Sequence, residues 1–353
     1  TAGDVDGGGQ YEIIVRRMNR EWSIDNTNFT YFEAYKMDGT FMWAIDVGPN
    51  ITMDVEINIA AYDFDGDGKA EVFMRSSDNT IFGLDINNQN GTSVGDRDKD
   101  GVTNYRYSIG GDGFMNAGPE YLSLIDGQTG KELDWANFIP RGQTSDWGDS
   151  YGHRCNKFFF GAPYLDGKHP SLFTGRGIYT RTKMQTYDVV NKKLVKRWYW
   201  ECLSPDAKQQ GKYDTTTKSY FGQGYHNYTV ADVDDDGKDE INWGSMTIDD
   251  DGKPLYSSEL GHGDAQHYGD FDPYRKGQEM FACNEDNPGT NMRDAKTGQL
   301  LFRKVAASDV GRACVGNISD SFKGAEAWGG GVGISCTDRN ELTHFGTAES
   351  YCI

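Results

Sequence analysis

Residues 63–71 read DFDGDGKAE, and the same design recurs at 4–12 as DVDGGGQYE and at 232–240 as DVDDDGKDE. Each copy sets acids at loop positions one, three and usually five, glycine at six and glutamate at nine, and an apolar run follows: IIV, VFM or INW. Alternating carboxylates can aim their oxygens at one point, and glycine permits the sharp turn, as in the loop of an EF-hand. An EF-hand takes its last carboxylate at position twelve, on an exiting helix. Here it comes at nine and a strand-like run follows, so the implied unit is a calcium loop between β-strands. The expected ligands are Asp4, Asp6 and Glu12; Asp63, Asp65, Asp67 and Glu71; and Asp232, Asp234, Asp236 and Glu240. Looser copies begin at Asp96 (DRDKDGVTN), Asp270 (DFDPYRKGQE) and Asn317 (NISDSFKGAE), adding Asp96, Asp98, Asp100, Asp270, Asp272 and Glu279.

Between the loops lie FEAYKMDGTFMW, YLSLIDGQTGKEL, MQTYDVVNKKLVKRW and MRDAKTGQLLF. Each is an apolar or aromatic strand, a turn and a second strand, the signature of a hairpin. Helical periodicity is hard to find. One hairpin plus one acidic loop, repeated at intervals of tens of residues, predicts an all-β chain and specifically a β-propeller, because single units cannot bury their own faces. The long insertions at 86–118 and 203–224 are expected to build a functional face.

Composition narrows the partners. The 353 residues carry 35 Lys and Arg against 54 Asp and Glu, a formal charge of -19. Phosphate binding needs clustered cations, so nucleic acid is disfavoured. No apolar run approaches the roughly 18 residues of a membrane span. Six cysteines without CxxC spacing disfavour a zinc ribbon and lean toward disulfides outside the cytoplasm, Cys336 with Cys352 being one candidate pair.

Chemistry-bearing residues cluster in the second half: His226, His262 and Asp264 in GHGD, His267, and Glu285 in CNEDNPG. A mixed imidazole and carboxylate set suits a metal ion, and the glycines beside His262 let backbone approach a cramped site. The run RGQTSDWGDSYGHR (141–154) reads in two ways. Trp147 and Tyr151 could stack on sugar rings while Asp149 and Arg154 bind hydroxyls, or the run is a buried aromatic with satisfied polar neighbours. Arg181 in GIYTRT and Arg312 in DVGR are either carboxylate clamps or structural ion-pair partners.

Taken in order, YDFDGDGKAEV, GPEYL, SDWGDSYG, GIYTRT, HNYTVADVDDDGKDEI, MTIDDDG, ELGHGDAQHYGD, NED and DVGR resemble the rhamnogalacturonan lyases of polysaccharide lyase family 11, from about residue 4 to 328. The resemblance implies a secreted, eight-bladed β-propeller loaded with Ca2+. It also implies cleavage of the rhamnose–galacturonic acid bonds of rhamnogalacturonan I, an acidic pectin polysaccharide, by metal-assisted β-elimination. It assigns the active-site ion, Ca2+ or Mn2+, to His226, His262, Asp264 and Glu285. Arg312 and His267 become the candidates for proton transfer, and Trp147, Asp149, Tyr151, Arg154 and Arg181 those for substrate binding. One propeller domain is expected over 1–353, without the family's β-sandwich-like segment and C-terminal part, and the run ITMDVEIN brings Asp54 and Glu56 where a basic run is typical. That departure motivates the alternative of a non-catalytic extracellular propeller for glycan binding, adhesion or self-assembly.

Overall fold

The fold is that of a computed structural model and is described for residues 1–18, 30–51, 59–105, 114–202, 204–320 and 323–336. Asp54, Glu56 and Cys352 fall outside these residues. The described chain is all-β: apart from two short 3-10 turns, Thr144–Trp147 and Arg154–Asn156, its regular elements are strands.

Four sheets share one plan of four antiparallel strands. One contains Ile59–Tyr62, Glu71–Ser76, Tyr121–Ile125 and Glu132–Asn137; a second Phe158–Gly161, Leu172–Arg176, Lys183–Val190 and Lys193–Glu201. A third contains Thr229–Ala231, Glu240–Trp243, Met246–Ile248 and Pro254–Ser257; a fourth Ala265–Gly269, Glu279–Asn284, Gly289–Asp294 and Leu300–Val305. A six-stranded sheet holds Ala2–Gly3, Glu12–Met18, Thr30–Tyr35, Phe41–Asp46, Ile81–Leu84 and Thr92–Ser93. A three-stranded one ends the described chain, and Lys208–Gln209 pairs with Lys218–Ser219 inside the second long insertion. The four hairpins expected from sequence each form an adjacent strand pair.

The chain divides into two compact units. The first contains residues 1–162, 169–176 and 183–199; the second contains 163–168, 177–182 and 200–353. Within each unit the sheets bury both faces. Alternate residues of Glu71–Ser76 point to opposite sides. Val72 and Met74 pack with Phe32, Trp43 and Ile45 of the six-stranded sheet, while Phe73 packs with Leu122, Leu172 and Tyr187. Inner strands therefore read as nearly continuous apolar runs, and a ring such as Phe73, fully buried, contributes about 1.5–3 kcal/mol. In the second unit Phe281, Cys283 and Met292 meet Ala313 and Ala327, and Leu255 and Tyr256 meet Ala295.

A buried ionic knot ties the first unit. Glu120 receives Arg75 at 2.8 Å, Arg176 at 2.6 Å and Arg141 at 3.1 Å, and Arg176 also donates to the carbonyls of Cys155 and Ile139. The three guanidiniums hold the Glu120 carboxyl far below its usual range, overcoming burial. Cys314 is disulfide-bonded, whereas Cys155, Cys202 and Cys283 are buried free thiols.

Candidate active site and metal centres

The acidic loops occupy one structural position. In the strict copies each joins the first strand of a sheet to the second, and the position-nine glutamate opens that second strand. One of its oxygens accepts the amide of loop residue two: Val5 to Glu12 at 2.9 Å, Phe64 to Glu71 at 2.9 Å, Val233 to Glu240 at 2.7 Å. Two of the three looser copies repeat the bond, Phe271 to Glu279 and Ile318 to Glu326, both at 2.9 Å.

The remaining carboxylate oxygens converge. Asp4, Asp6 and Glu12; Asp63, Asp65 and Glu71; and Asp232, Asp234 and Glu240 form groups whose oxygens all lie within 4.8 Å of one another. Asp4 Oδ1, Asp234 Oδ1, Glu240 Oε1 and Glu326 Oε1 are buried without a hydrogen-bond partner. Burial, aggravated by neighbouring aspartates, pushes Glu71 up to about 7 and Glu240 up to about 9. Orphaned hard oxygens crowded at one point fit a divalent cation, whose charge would relieve that penalty.

The position-five residues Asp67 and Asp236 accept the amides of Lys69 and Lys238. In the 96–104 copy the convergent group joins Asp96 and Asp98 with Asp78, while Asp100 accepts the hydroxyl of Tyr105 and the amide of Val102. Asp78, fully buried with Oδ2 unpartnered, was missed in the sequence because it lies 18 residues upstream of Asp96, outside the loop. In the 270–279 copy Asp272 accepts the amide of Tyr274, and Arg275 lies against Glu279 and Asp294. Asp270 opens this loop, directly after the strand Ala265–Gly269.

A chemically different cluster lies in the second unit. His226, His262 and Asp264 form a convergent group. Asp264 Oδ1 is 3.4 Å from His226 Nε2 and 3.8 Å from His262 Nε2, and Glu285 Oε2 is 3.7 Å from His262 Nε2. His262 has no exposed surface. Its Nδ1 is 2.6 Å from the Gly224 carbonyl, to which it can only donate, so Nε2 keeps its lone pair. That Nε2 has no hydrogen-bond partner. Burial lowers the imidazole's affinity for a proton, favouring the neutral, ligating form.

Backbone contacts hold the cluster. The His262 amide donates to Asp286 at 2.9 Å, and the Glu285 amide to the His262 carbonyl at 2.9 Å. A Cβ on Gly263 would lie 1.9 Å from the Cys283 carbonyl, so only glycine fits between His262 and Asp264. Tyr179, absent from the sequence-based set, covers the imidazoles. Its hydroxyl is 3.0 Å from His226 Nε2 and its ring centroid 4.1 Å from that of His262. It does so from a backbone φ of 65°, a region a bulky side chain rarely adopts.

Of the other candidates, Arg312 reaches the cluster: Nη1 donates to Asp264 Oδ2 at 2.7 Å, and the side chain is half exposed. His267 is tied elsewhere, with Nε2 2.7 Å from the carbonyl of Ala313, the residue after Arg312. Arg181 lies in the second unit, two residues beyond Tyr179. Trp147, Asp149, Tyr151 and Arg154 belong to the first unit. Trp147 is fully buried and donates to the Arg141 carbonyl, so its ring is a core element and not a sugar platform. Asp149 accepts the amides of Tyr151, Gly152 and Arg154 and thereby holds the loop. Tyr151 stays 40% exposed and lies parallel to His153, which keeps a stacking surface available.

The chain is all-β, with acidic inter-strand loops and an imidazole–carboxylate cluster whose residues could hold a cation, and the comparisons name its family. Residues 1–348 match the model of rhamnogalacturonan lyase family 11, C-terminal domain, and the chain belongs to this family. It is 43% identical over 339 residues to rhamnogalacturonan exolyase YesX of Bacillus subtilis (strain 168), covering 93% of this chain and 52% of that protein. It is 44% identical over 341 residues to rhamnogalacturonan endolyase YesW of the same organism, covering 94% and 51%. The chain thus spans about half the length of these relatives. The crystal structure of YesX superposes with a TM-score of 0.83 at 40% identity over 96% of this chain and 55% of that one. A family 11 lyase from Bacillus licheniformis gives 0.83 and 40% over 98% and 56%. The all-β fold is that of the family 11 lyases.

Proposed function

We propose that the chain is a rhamnogalacturonan lyase, cleaving rhamnose–galacturonic acid bonds of rhamnogalacturonan I by β-elimination at the His226, His262, Asp264 and Glu285 cluster. The observation that carries this reading is the buried, unpartnered Nε2 of His262, its tautomer fixed by Gly224 O, facing two carboxylates in a chain of this family. Bound there, a divalent cation (Ca2+ or Mn2+) supplies a positive charge that neutralises the uronate carboxylate and acidifies the proton at C5. Asp264 spends one oxygen on Arg312 and keeps the other in the cluster. That bond holds the guanidinium at the site, where it clamps a carboxylate or the developing negative charge. His267 braces the strand residue after Arg312, so we assign it a positioning role. Tyr151, Arg154 and Arg181 are retained as substrate contacts, Trp147 and Asp149 as their support.

We further infer one β-propeller domain, with the four-stranded sheets as blades and the inter-strand loops holding structural Ca2+. Support comes from the shared strand plan, the sheet-to-sheet burial within each unit and the unpartnered loop oxygens. The disulfide at Cys314 and the demand for calcium favour a secreted or extracellular protein. No helix among the described residues is long and apolar enough to cross a membrane.

The test is incubation of the chain with rhamnogalacturonan I and Ca2+ or Mn2+, following the ultraviolet absorbance of the unsaturated uronide. His262→Ala is expected to lower the rate by at least about a hundredfold and to remove one bound cation per chain by elemental analysis. Absence of product with either metal across pH rejects the reading, and retention of polymer without product selects the non-catalytic alternative.

A further inference from the structure

The strand Lys193–Glu201 and the turn before it contrast with the rest of this acidic molecule. Residues 192–199 read KKLVKRWY, with four cations and no acid in eight positions. Two of the cations are committed: Lys193 to Asp134 at 3.0 Å and Arg197 to Asp188 at 3.1 Å. Lys196 is exposed and makes no ion pair among the described residues; its ammonium lies 5.3 Å from the ring centroid of Tyr199. Both side chains line a cavity of about 320 Å³ together with Phe138, Pro140, Gln185 and Tyr187. Tyr199 is 37% exposed, whereas Phe138 and Tyr187 are buried. Lys183 donates to the Pro140 carbonyl at 2.7 Å, which secures the rim from below.

These features match the chemistry of an acidic sugar. The volume is at the lower end of small-ligand pockets and holds one or two pyranose rings. An exposed tyrosine face packs against sugar C–H groups, and an unpaired ammonium at the rim pairs with a carboxylate. Elsewhere the surface carries excess negative charge, so a polyanion is repelled from most of it and this patch is an exception.

We infer that the Lys196 and Tyr199 pocket of the first unit is a uronate-binding subsite that retains the acidic polysaccharide without taking part in its cleavage. The inference rests on the lyase reading for its choice of ligand. The site itself is independent of the histidine cluster.

The experiment is native electrophoresis of the whole chain through gels containing rhamnogalacturonan I, with neutral galactan as control. Parent, Lys196→Ala, Tyr199→Ala, the double variant, Lys196→Arg and the charge control Lys168→Ala are compared. The double variant is expected to lose about tenfold in retention, and Lys196→Arg to restore most of it. In cleavage assays the double variant should raise KM by a similar factor and leave kcat within twofold. Retention of the double variant within twofold of the parent overturns the subsite, as does a parent chain that is not retarded. Loss equal to that of Lys168→Ala overturns it too, since it would reflect net charge alone. If no variant yields unsaturated product but retention still depends on Lys196, the catalytic reading fails and the subsite stands. If product forms while retention ignores Lys196, the subsite fails alone.

Discussion

Tyr179 shows what a single residue contributes to the cluster. Its left-handed backbone costs of order 1–3 kcal/mol, yet it places one ring against two imidazoles. Groups that orient metal-ligating histidines typically matter by 10–100-fold in metal affinity. Tyr179→Phe keeps the ring and removes the hydroxyl beside His226. It is expected to weaken cation binding at this site about tenfold by calorimetry, with an unchanged thermal midpoint. An affinity equal to the parent's would show that the hydroxyl is a bystander. The meeting of His226, His262, Asp264 and Glu285 is what the matched motifs lead one to expect, whereas Tyr179 is not legible, although its stretch GIYTRT also carries the candidate Arg181. Nothing in the letters marks a tyrosine that will take a positive φ. Trp147 illustrates the same limit: a buried ring and a sugar platform have the same sequence, and only its 0% exposure separates them.

At the scale of elements, the inter-strand loops and the arginine knot carry charge in opposite ways. In the loops, Glu240 is buried beside Asp232, Asp234 and Asp249 with one oxygen unpartnered, so a charge there calls for a cation. Glu240→Gln removes that charge while keeping the side-chain oxygen that accepts the Val233 amide. Without metal the variant should melt at or above the parent. In saturating Ca2+ it should melt below, because one ligand has lost its charge; the reverse order would argue against a cation in this loop. Glu120, by contrast, is fully compensated from within the protein. Glu120→Gln leaves Arg75, Arg141 and Arg176 facing one another in the interior, and breaking such a buried pair costs about 3–5 kcal/mol. Denaturant unfolding that shows less than about 1 kcal/mol would mean the knot is wet. The three strict loops were readable because their convergent carboxylates sit within nine residues. Asp78 escaped because it is supplied from outside the loop, and Glu120 because its partners converge only after two sheets have formed.

For the whole molecule, the excess of 54 acids over 35 bases predicts a stability that rises when cations are bound. Chelation is expected to lower the thermal midpoint by several degrees, each kcal/mol lost being worth about 2–4 °C in chains of 150–250 residues and less in one this long. Added Ca2+ should restore it, and added NaCl should restore part, because salt screens the carboxylates from one another. A midpoint indifferent to chelator would remove calcium from the account of this fold. The all-β class was legible from the repeated loop and the hairpins together. The alternation of apolar residues is obscured wherever a strand is buried on both sides, so the pairing of strands within each sheet is not legible from the pattern alone.

The bond from each position-nine glutamate to its own loop has a further meaning. One oxygen of that carboxylate is spent on an amide of its own loop, so a single residue both braces the turn and opens the next strand, with its second oxygen left over. A side chain divided in this way joins the turn to the strand, so a substitution at that glutamate is felt in the frame of the sheet as well as in any ion the loop holds.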